Sequence, residues 1–260
     1  MISSTTAHKK VIQSILGILF WLAAWQAIYF IVQNDILVPA PLEVFSLLGE
    51  LILVKSFWSS IFFTIFRVFA GIFLAVVLGT VLGISSGLNR FLYELIAPLV
   101  VAVKSTPIMS FIIVALVWFG SGNVPIFICF LIAFPIIWTN IWEGINNVDI
   151  KLLEMAKVFQ VSRFKILTSI YLPQIKPYFI SGFLTIIGLG WKATVTAEVI
   201  SHPVHAIGSG LYNARVSINT VALFAWTLAI IGISLLIEKT LIYLLEKSQG
   251  SQGRKIDNAG

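Results

Sequence analysis

Charged side chains inside otherwise apolar stretches are the first candidates for chemistry: Lys104, Lys192 and Glu198. Such a charge is costly unless it has a partner or faces water, and it often marks a solute or ion path. We expect Lys104 or Lys192 to contact a solute that is anionic or carries strong acceptors. The alternatives are a structural ion pair and a snorkelling side chain.

Two further charges extend this group. Glu198 lies six residues after Lys192, about 120° away on an ideal helix, so the two cannot form an i, i+4 pair. Structural and gating roles both remain open for Glu198. Arg67 is interpreted as structural, partnering a polar group on a neighbouring helix.

A second candidate region is the charged segment 144–177, which interrupts the apolar sequence. Asp149 can cap a helix by accepting hydrogen bonds from the N–H groups of its first turn. Apolar residues then recur at three- and four-residue intervals, which predicts a short helix with one apolar face. They are Leu152, Met155, Ala156 and Phe159. Such a helix either lies on lipid headgroups or enters a groove on a partner protein, and the residues alone favour neither.

The end of this segment carries two prolines. Ser162 can start a second short helix. We expect Pro173 to end it, because the residue before a proline disfavours helical backbone. Pro177 is expected to open the next apolar helix, where its missing N–H costs nothing.

The elements that position these residues are membrane helices, as the composition shows. Hydrophobic residues make up 58% of the 260 residues and charged residues 11%, against about 45–50% and 25% in soluble domains. The mean hydropathy is +0.99. This is too few charges to cover the surface of a water-soluble fold of this length.

Motifs for catalysis or metal binding are missing from the sequence. A lone cysteine, Cys129, excludes a disulfide framework and a thiolate metal site. The three histidines, His8, His202 and His205, do not form a helical metal-binding pair. No G-x-x-x-x-G-K-[S/T] phosphate loop occurs, so this chain cannot hydrolyse ATP by that route. We therefore expect neither an enzyme nor a metal site.

Six apolar stretches are long enough to cross a bilayer, which takes about 20 helical residues. We predict a single all-α transmembrane domain over residues 1–260, with spans near 11–33, 58–85, 97–119, 124–143, 178–200 and 221–245. With both termini on one side, twelve of the 17 Lys and Arg residues fall in segments on that side and two on the other. Basic residues mark the cytoplasmic side, so both termini are predicted to be cytoplasmic. The basic charge is therefore a topology signal, and nucleic-acid binding is not expected.

Several short motifs follow one another between Val38 and Lys247. They are Val38-Pro39-Ala40-Pro41, Arg67-Val68-Phe69-Ala70-Gly71, Gly79-Thr80-Val81-Leu82-Gly83-Ile84, Lys104-Ser105-Thr106-Pro107, Trp118-Phe119-Gly120, Asn140 with Gly144, and Trp191 with Ala197-Glu198. The charged segment adds Glu154-Met155-Ala156-Lys157-Val158-Phe159-Gln160 and Ile170-Tyr171-Leu172-Pro173. The last two are similar to the E-A-A-x-x-x-G-x9-I-x-L-P loop of ABC importers. In this order the motifs resemble the permease subunits of bacterial importers for nitrate, sulfonates, taurine and related solutes.

Some positions depart from the family pattern. Met155 replaces an alanine, Lys192 stands where an apolar residue is common, and Gln160 stands where the family has glycine. If the turn at Gln160 requires a positive φ, a non-glycine residue costs about 1 kcal/mol there. Otherwise the turn has a different shape in this chain.

The resemblance implies a group of residues that docks onto an ATPase, with Phe159 as apolar anchor and Glu154 as charged contact: Glu154, Ala156, Phe159, Gln160, Leu172 and Pro173. The charges within the apolar spans, Lys192 above all, predict a second group that lines the solute pathway: Lys104, Pro107, Trp191, Lys192 and Glu198.

The resemblance also implies partners and a location. They are two copies of an ATPase subunit that holds ATP and Mg, a periplasmic or lipid-anchored solute-binding protein, and a second permease copy, in a homodimer or a heterodimer. The chain itself would bind no cofactor and would sit in the lipid of the bacterial inner membrane, working by alternating access. The solute stays open between nitrate or bicarbonate, taurine or alkanesulfonates, and thiamine- or riboflavin-type precursors. A channel or secondary transporter is the alternative class, which would explain the spans but not the docking loop.

Overall fold

The protein is described by a computed structural model that covers the backbone of residues 3–257, with side chains for residue 13, residues 15–240 and residue 243. All regular elements in this part of the chain are helical, which confirms the all-α prediction. In chain order they are α1 (Ser3–Val32), α2 (Pro41–Leu53), α3 (Lys55–Leu88), α4 (Arg90–Ser105), α5 (Ile108–Trp118), α6 (Val124–Asn146), α7 (Ile150–Val158), α8 (Arg163–Ile166), a π-helical turn (Leu167–Tyr171), α9 (Leu172–Ser201), α10 (Ile207–Val216) and α11 (Thr220–Asp257).

Helices long and apolar enough to cross a membrane account for most of the chain. Five qualify singly among the described residues: Ile15–Val32, Lys55–Leu88, Val124–Asn146, Arg163–Ser201 and Thr220–Thr240. The pair α4 and α5 qualifies as a sixth if the two helices together form one broken span. The structure therefore has five or six candidate spans where the sequence predicts six.

The stretch predicted as the third span, 97–119, is not one straight helix. It breaks between α4 and α5 with a bend of 107°. Pro107 causes the break, because its ring keeps the preceding residue out of the helical region. Thr106 accordingly adopts an extended conformation, with φ −86° and ψ 135°. Its hydroxyl donates to the carbonyl of Ala102 at 2.7 Å, which satisfies one carbonyl at the end of α4.

The expectation that Pro173 ends a helix and Pro177 opens the next is wrong. Helical backbone continues from Arg163 through Ser201. A π-helical turn replaces the expected end, and the Leu172 N–H donates to the carbonyl of Leu167, five residues back. The π-helical turn lies directly before Pro173, which has no N–H to donate to the preceding turn, and the helix passes the proline with this local change in its hydrogen-bond pattern.

The chain divides into two compact units, Met1–Trp58 with Gly210–Ile231 and Ser59–Ser209 with Gly232–Gly260. Aromatic contacts hold the first unit together. The Trp25 indole N–H donates to the carbonyl of Pro39 at 3.1 Å, and its ring lies 5.6 Å from that of Phe224. Phe57 and Trp226 lie 5.2 Å apart.

The second unit holds the charged and motif-bearing residues, and small side chains set its packing. On α3, the positions Gly71, Ala75, Gly79, Gly83 and Gly87 recur every four residues and form one stripe. Its glycines face Cys129, Ile137, Ile141 and Ile145 along α6. A cluster of buried residues from α5, α6 and α9 adds a core: Ile112, Ala115, Val124, Ile128, Ala193 and Ala197.

We expect Gly83→Ala to destabilise the second unit. A Cβ at this position would lie 2.8 Å from the Cβ of Ile141, so one helix must shift. Overpacking of this kind costs about 1–3 kcal/mol. Gly232→Ala is the matched control, because a Cβ at this position meets nothing within 4 Å. This substitution should not destabilise the protein, since replacing a helical glycine by alanine lowers the conformational entropy of the unfolded chain. The melting temperatures of the two variants are measured by thermal unfolding in detergent. Equal melting temperatures for Gly83→Ala and Gly232→Ala would contradict the close approach of α3 and α6.

Candidate functional site

Helix α7 is a capped, projecting element. The Asp149 carboxylate accepts from the Lys151 N–H at 2.9 Å, as predicted for an N-cap. The Asp149 N–H donates to Oε1 of Gln174 at 3.2 Å, which fixes the start of α7 to the first turn of α9. Only Ala156 is buried along α7, at 3% exposure. Ala156 therefore seats the helix together with the half-buried Leu153, and the other residues of α7 are exposed.

The C-terminal end of α7 is a left-handed turn, and it takes this shape with a residue other than glycine. Gln160 has φ +50°. The Val161 N–H donates to the carbonyl of Ala156 at 2.9 Å, and the Gln160 N–H donates to that of Lys157 at 3.1 Å. These two bonds define a Schellman motif, in which glycine is favoured at the left-handed position. The turn therefore requires positive φ, and Gln160 accepts a strain of about 1 kcal/mol.

The predicted docking residues lie on both sides of this turn. Glu154, Phe159 and Gln160 are exposed, and Phe159 at the C-cap is 74% exposed. Leu172 and Pro173 lie at the first turn of α9 and are also exposed. The hydrogen bond between Asp149 and Gln174 joins the start of α7 to that turn.

Lys192 lies in a polar stripe on the exposed side of α9. The stripe consists of Ser181, Thr185, Lys192 and Thr196, all exposed. These positions fall within about 60° of one another around an ideal helix and span about 22 Å. No described residue forms an ion pair with Lys192. Sequence reasoning picked out only Lys192; the helical spacing of the three hydroxyl residues was the signal for the others.

The exposed side of α3 has the opposite character. It presents large apolar residues along its length: Phe62, Phe66, Phe69, Phe73 and Val77. Such a surface suits lipid hydrocarbon. A stripe of hydroxyls and an ammonium on α9 does not, because polar residues in membrane helices face a water-filled cavity or another protein.

The other predicted pathway residues are divided between surface and core. Lys104, in the last turn of α4, is exposed and donates to Oγ1 of Thr139 at 2.9 Å. Pro107 is exposed at the break before α5. Trp191 is 3% exposed, and its indole N–H has no partner among the described residues. Trp191 therefore belongs to the interior, although its neighbour Lys192 belongs to the surface.

Glu198 is completely buried and paired with Arg67. Oε1 of Glu198 accepts from Nη1 of Arg67 at 2.8 Å, and the Thr64 hydroxyl lies 2.9 and 3.0 Å from the two carboxylate oxygens. The Gly208 N–H donates to Oε2 at 3.2 Å, and the Ile207 N–H donates to Oγ1 of Thr64. The geometry agrees with the structural alternative for Glu198 and with a polar partner for Arg67. Sequence reasoning missed Thr64.

The Arg67 guanidinium also donates hydrogen bonds to two loops that connect helices. Its Nε donates to the carbonyl of Gly122, between α5 and α6. Nη1 and Nη2 donate to the carbonyls of His205 and Val204, between α9 and α10. One buried ion pair thus joins α3, α9 and two loops at the end away from α7. Within the part of the chain that the structure describes, no three His, Cys, Asp or Glu side chains could hold a metal ion.

Comparison with protein families identifies a matching model. It is described as a binding-protein-dependent transport system inner membrane component, and it matches residues 75–247. These residues include α6, α7, α9, the polar stripe and Glu198.

Three relatives illustrate the similarity. The chain is 29% identical over 127 residues to the bicarbonate transport system permease protein CmpB of Synechococcus elongatus, covering 48% of this chain and 46% of CmpB. It is 26% identical over 206 residues to the putative aliphatic sulfonates transport permease protein SsuC of Bacillus subtilis, covering 78% and 74%. It is 26% identical over 191 residues to the nitrate import permease protein NrtB of Synechococcus elongatus, covering 69% and 68%. The match with CmpB therefore spans less than half of that relative.

The fold is shared with a solved structure. A chain of the inward-facing MetNI methionine ABC transporter superposes with a TM-score of 0.61 at 14% identity. The superposition covers 72% of this chain and 94% of that one.

Proposed function

Because the chain belongs to the family of binding-protein-dependent transport system inner membrane components, we propose that it is the permease subunit of an ATP-driven importer. It is a multi-pass inner-membrane transport protein and not an enzyme. A separate ATPase subunit supplies ATP and Mg, and a solute-binding protein delivers the solute. The permease opens to each side in turn by alternating access.

The observation that carries this proposal is the exposed apolar surface around α7. Val158, Phe159 and Phe164 are each about three-quarters exposed. Exposed large apolar residues grouped together mark an interaction site. A helix of nine residues is marginal alone, so capping and a partner's groove must hold it. Co-purification of the chain with an ATPase encoded beside it tests the proposal; no association would contradict it.

Helix α9 connects the docking surface with the proposed pathway. Its first turn holds α7 through the Asp149–Gln174 hydrogen bond. Its exposed side carries the polar stripe. A displacement of α7 by the ATPase is therefore transmitted along the same helix that faces the solute.

The polar stripe supports a pathway for a small solute with strong acceptors. Lys192 offers an ammonium, and Ser181, Thr185 and Thr196 make the same side of the helix polar, with the hydroxyls of Thr185 and Thr196 donating to the carbonyls of Ser181 and Lys192. The relatives named for bicarbonate, sulfonates and nitrate make small anions and sulfonates our first candidates, ahead of thiamine- or riboflavin-type precursors. One stripe forms only one wall, so a second permease copy, identical or homologous, would close the pathway.

Lys192→Met is expected to lower uptake at least tenfold while the protein still assembles. The physical reason is loss of the cationic group on the polar stripe, whereas the methionine keeps the length of the side chain. Uptake and assembled yield are measured together in cells. Lys55→Met, an exposed lysine at the start of α3, is the control. Normal uptake would exclude an essential solute contact, and lost assembly would assign Lys192 to a structural pair.

The proposed orientation places α7 and both termini in the cytoplasm. In a Cys129→Ala background, Ser162→Cys, just after α7, should be shielded from an impermeant thiol reagent in intact cells. Ser121→Cys, between α5 and α6, should react, because Ser121 is exposed on the connection at the other end. Permeabilised cells should label both sites. Labelling of the Ser162 site from outside would overturn the topology and the docking surface with it.

A further inference from the structure

Two short loops lie at the end of the second unit away from α7. Residues 119–123 connect α5 to α6, and residues 202–206 connect α9 to α10. The buried Arg67 guanidinium donates hydrogen bonds to backbone carbonyls of both loops. One side chain therefore fixes the two loops relative to each other, and we call residues 119–123 and 202–206 the loop pair.

The second loop of the pair is shaped from inside the protein. The Ser209 hydroxyl donates to the carbonyl of Pro203 at 2.8 Å. Arg67 donates to the next two carbonyls, that of Val204 at 3.3 Å and that of His205 at 3.1 Å. Because interior side chains satisfy these three successive carbonyls, the loop has a fixed shape before any partner arrives.

Two residues of this loop have a strained backbone. His202 and His205 have φ of +47° and +54°, in the left-handed region that residues other than glycine seldom adopt. The His205 ring stacks on that of Phe63, with centroids 5.8 Å apart. Strain of this kind persists only where the surroundings impose it, and it is concentrated at functional sites such as ligand clamps. The second loop is therefore a candidate contact surface.

The surface of the loop pair is neutral and has one prominent apolar side chain. Val204 is 78% exposed, and residues 120–123 are exposed as well. Neither loop contains Asp, Glu, Lys or Arg. A surface without basic residues does not attract anionic lipid headgroups. A fixed, neutral surface suits a protein of matching shape, because a loop that is already ordered loses little entropy on binding.

The position of the loop pair indicates which protein this is. The last residue of the polar stripe, Thr196, lies six residues before His202, which is about 9 Å along α9. The second loop thus follows directly from the helix that faces the proposed solute pathway. A solute that enters the stripe from this end comes from a molecule seated near the loop. The matching family is described as binding-protein-dependent, so the partner expected here is a soluble solute-binding protein.

We propose that the loop pair is the docking surface for the solute-binding protein, an assignment that rests on the proposed function. Val204 enters an apolar depression of that protein. Gly120 and Gly122 carry no side chains, so the partner's backbone can approach the first loop closely. Arg67 holds both contacts in register from below.

The affinity of the solute-binding protein encoded beside this chain tests the surface. Its binding to the complete transporter in nanodiscs is measured for the wild type and for two variants. Val204→Asp, which places a charge in the apolar contact, should weaken binding about tenfold. Ser121→Trp, which adds bulk to the first loop, should weaken it to a similar extent. Leu37→Asp is the matched control, because Leu37 is 64% exposed on the connection from α1 to α2.

Protection from labelling gives a second measurement that does not depend on a disruptive substitution. In a Cys129→Ala background, Val204→Cys and Leu37→Cys are each labelled with an impermeant thiol reagent. An excess of the solute-binding protein should slow labelling of the Val204 site about tenfold and leave labelling of the Leu37 site unchanged. Co-purification of the ATPase with every variant verifies that the transporter is assembled.

The outcomes separate this proposal from the import function. Normal affinity of Val204→Asp and Ser121→Trp, together with unprotected Val204→Cys, would overturn the docking surface and leave the import function standing. A disulfide-linked dimer of Val204→Cys that forms without the solute-binding protein and is unaffected by it would also overturn the proposal, and would assign this face to a second copy of the chain. Failure of the wild-type transporter to bind the solute-binding protein at all would contradict the proposed function and this surface together.

Discussion

Phe159→Ala is expected to uncouple ATP hydrolysis from transport. Phe159 ends α7 at 74% exposure and is an aromatic side chain of the proposed docking surface. A buried aromatic anchor at an interface contributes about 2 kcal/mol or more, so its loss should weaken ATPase binding about 30-fold. Uptake by reconstituted transporter should fall accordingly, while insertion into the membrane is unchanged. Glu154→Lys should act in the same direction by reversing a charged contact.

Phe62→Ala is the matched control for this experiment. Phe62 is 65% exposed, on the apolar side of α3 and away from the α7 segment. Its removal should leave ATPase association and uptake close to the wild-type values. Full transport by both the Phe159 and Glu154 variants would show that the ATPase binds elsewhere.

Arg67→Met is expected to destabilise the protein more than Gly83→Ala or the replacement of any exposed residue. It leaves the carboxylate of Glu198 buried, at 0% exposure, without its cation. Removing one partner of a buried pair costs about 3–5 kcal/mol. The carbonyls of Gly122, Val204 and His205 lose their donor as well. The melting temperature in detergent should fall by on the order of 10 °C.

An exposed ion pair on the same chain provides the comparison. Arg90 and Glu94 pair at 2.9 Å with side chains 91% and 61% exposed. Arg90→Met should therefore cost no more than about 0.5 kcal/mol. The double variant Arg67→Met/Glu198→Gln should recover part of the lost stability, because it leaves no uncompensated charge. Equal melting temperatures for Arg67→Met and Arg90→Met would refute the structural role of the buried pair.

The sequence predicts well the features that depend on local pattern. Hydropathy places the apolar spans, and the Asp149 cap and the apolar repeat place α7. The sequence does not predict how the backbone accommodates Pro173. A proline pattern indicates a helix end, whereas the structure continues the helix through a π-helical turn.

The sequence also does not predict which charged side chains pair with each other. Lys192 and Glu198 looked alike as charges within one apolar stretch, yet one is exposed and the other is buried. The difference depends on Arg67, which is 131 residues away in the sequence. Only the packing of α3 against α6 and α9 brings that partner into reach. The hydroxyl residues on α9, by contrast, could be found from sequence by their helical spacing.

The same separation has a consequence for the synthesis of the chain. Helix α3 leaves the ribosome before α9 exists, so Arg67 must enter the bilayer without Glu198. At a translation rate of about 5–20 residues per second, it waits on the order of ten seconds for its carboxylate. An arginine at the centre of a single inserting helix costs about 2.5–3.5 kcal/mol. The long apolar run of Phe, Val and Leu residues around Arg67 therefore drives insertion of the nascent helix, and the buried ion pair forms only when α9 arrives.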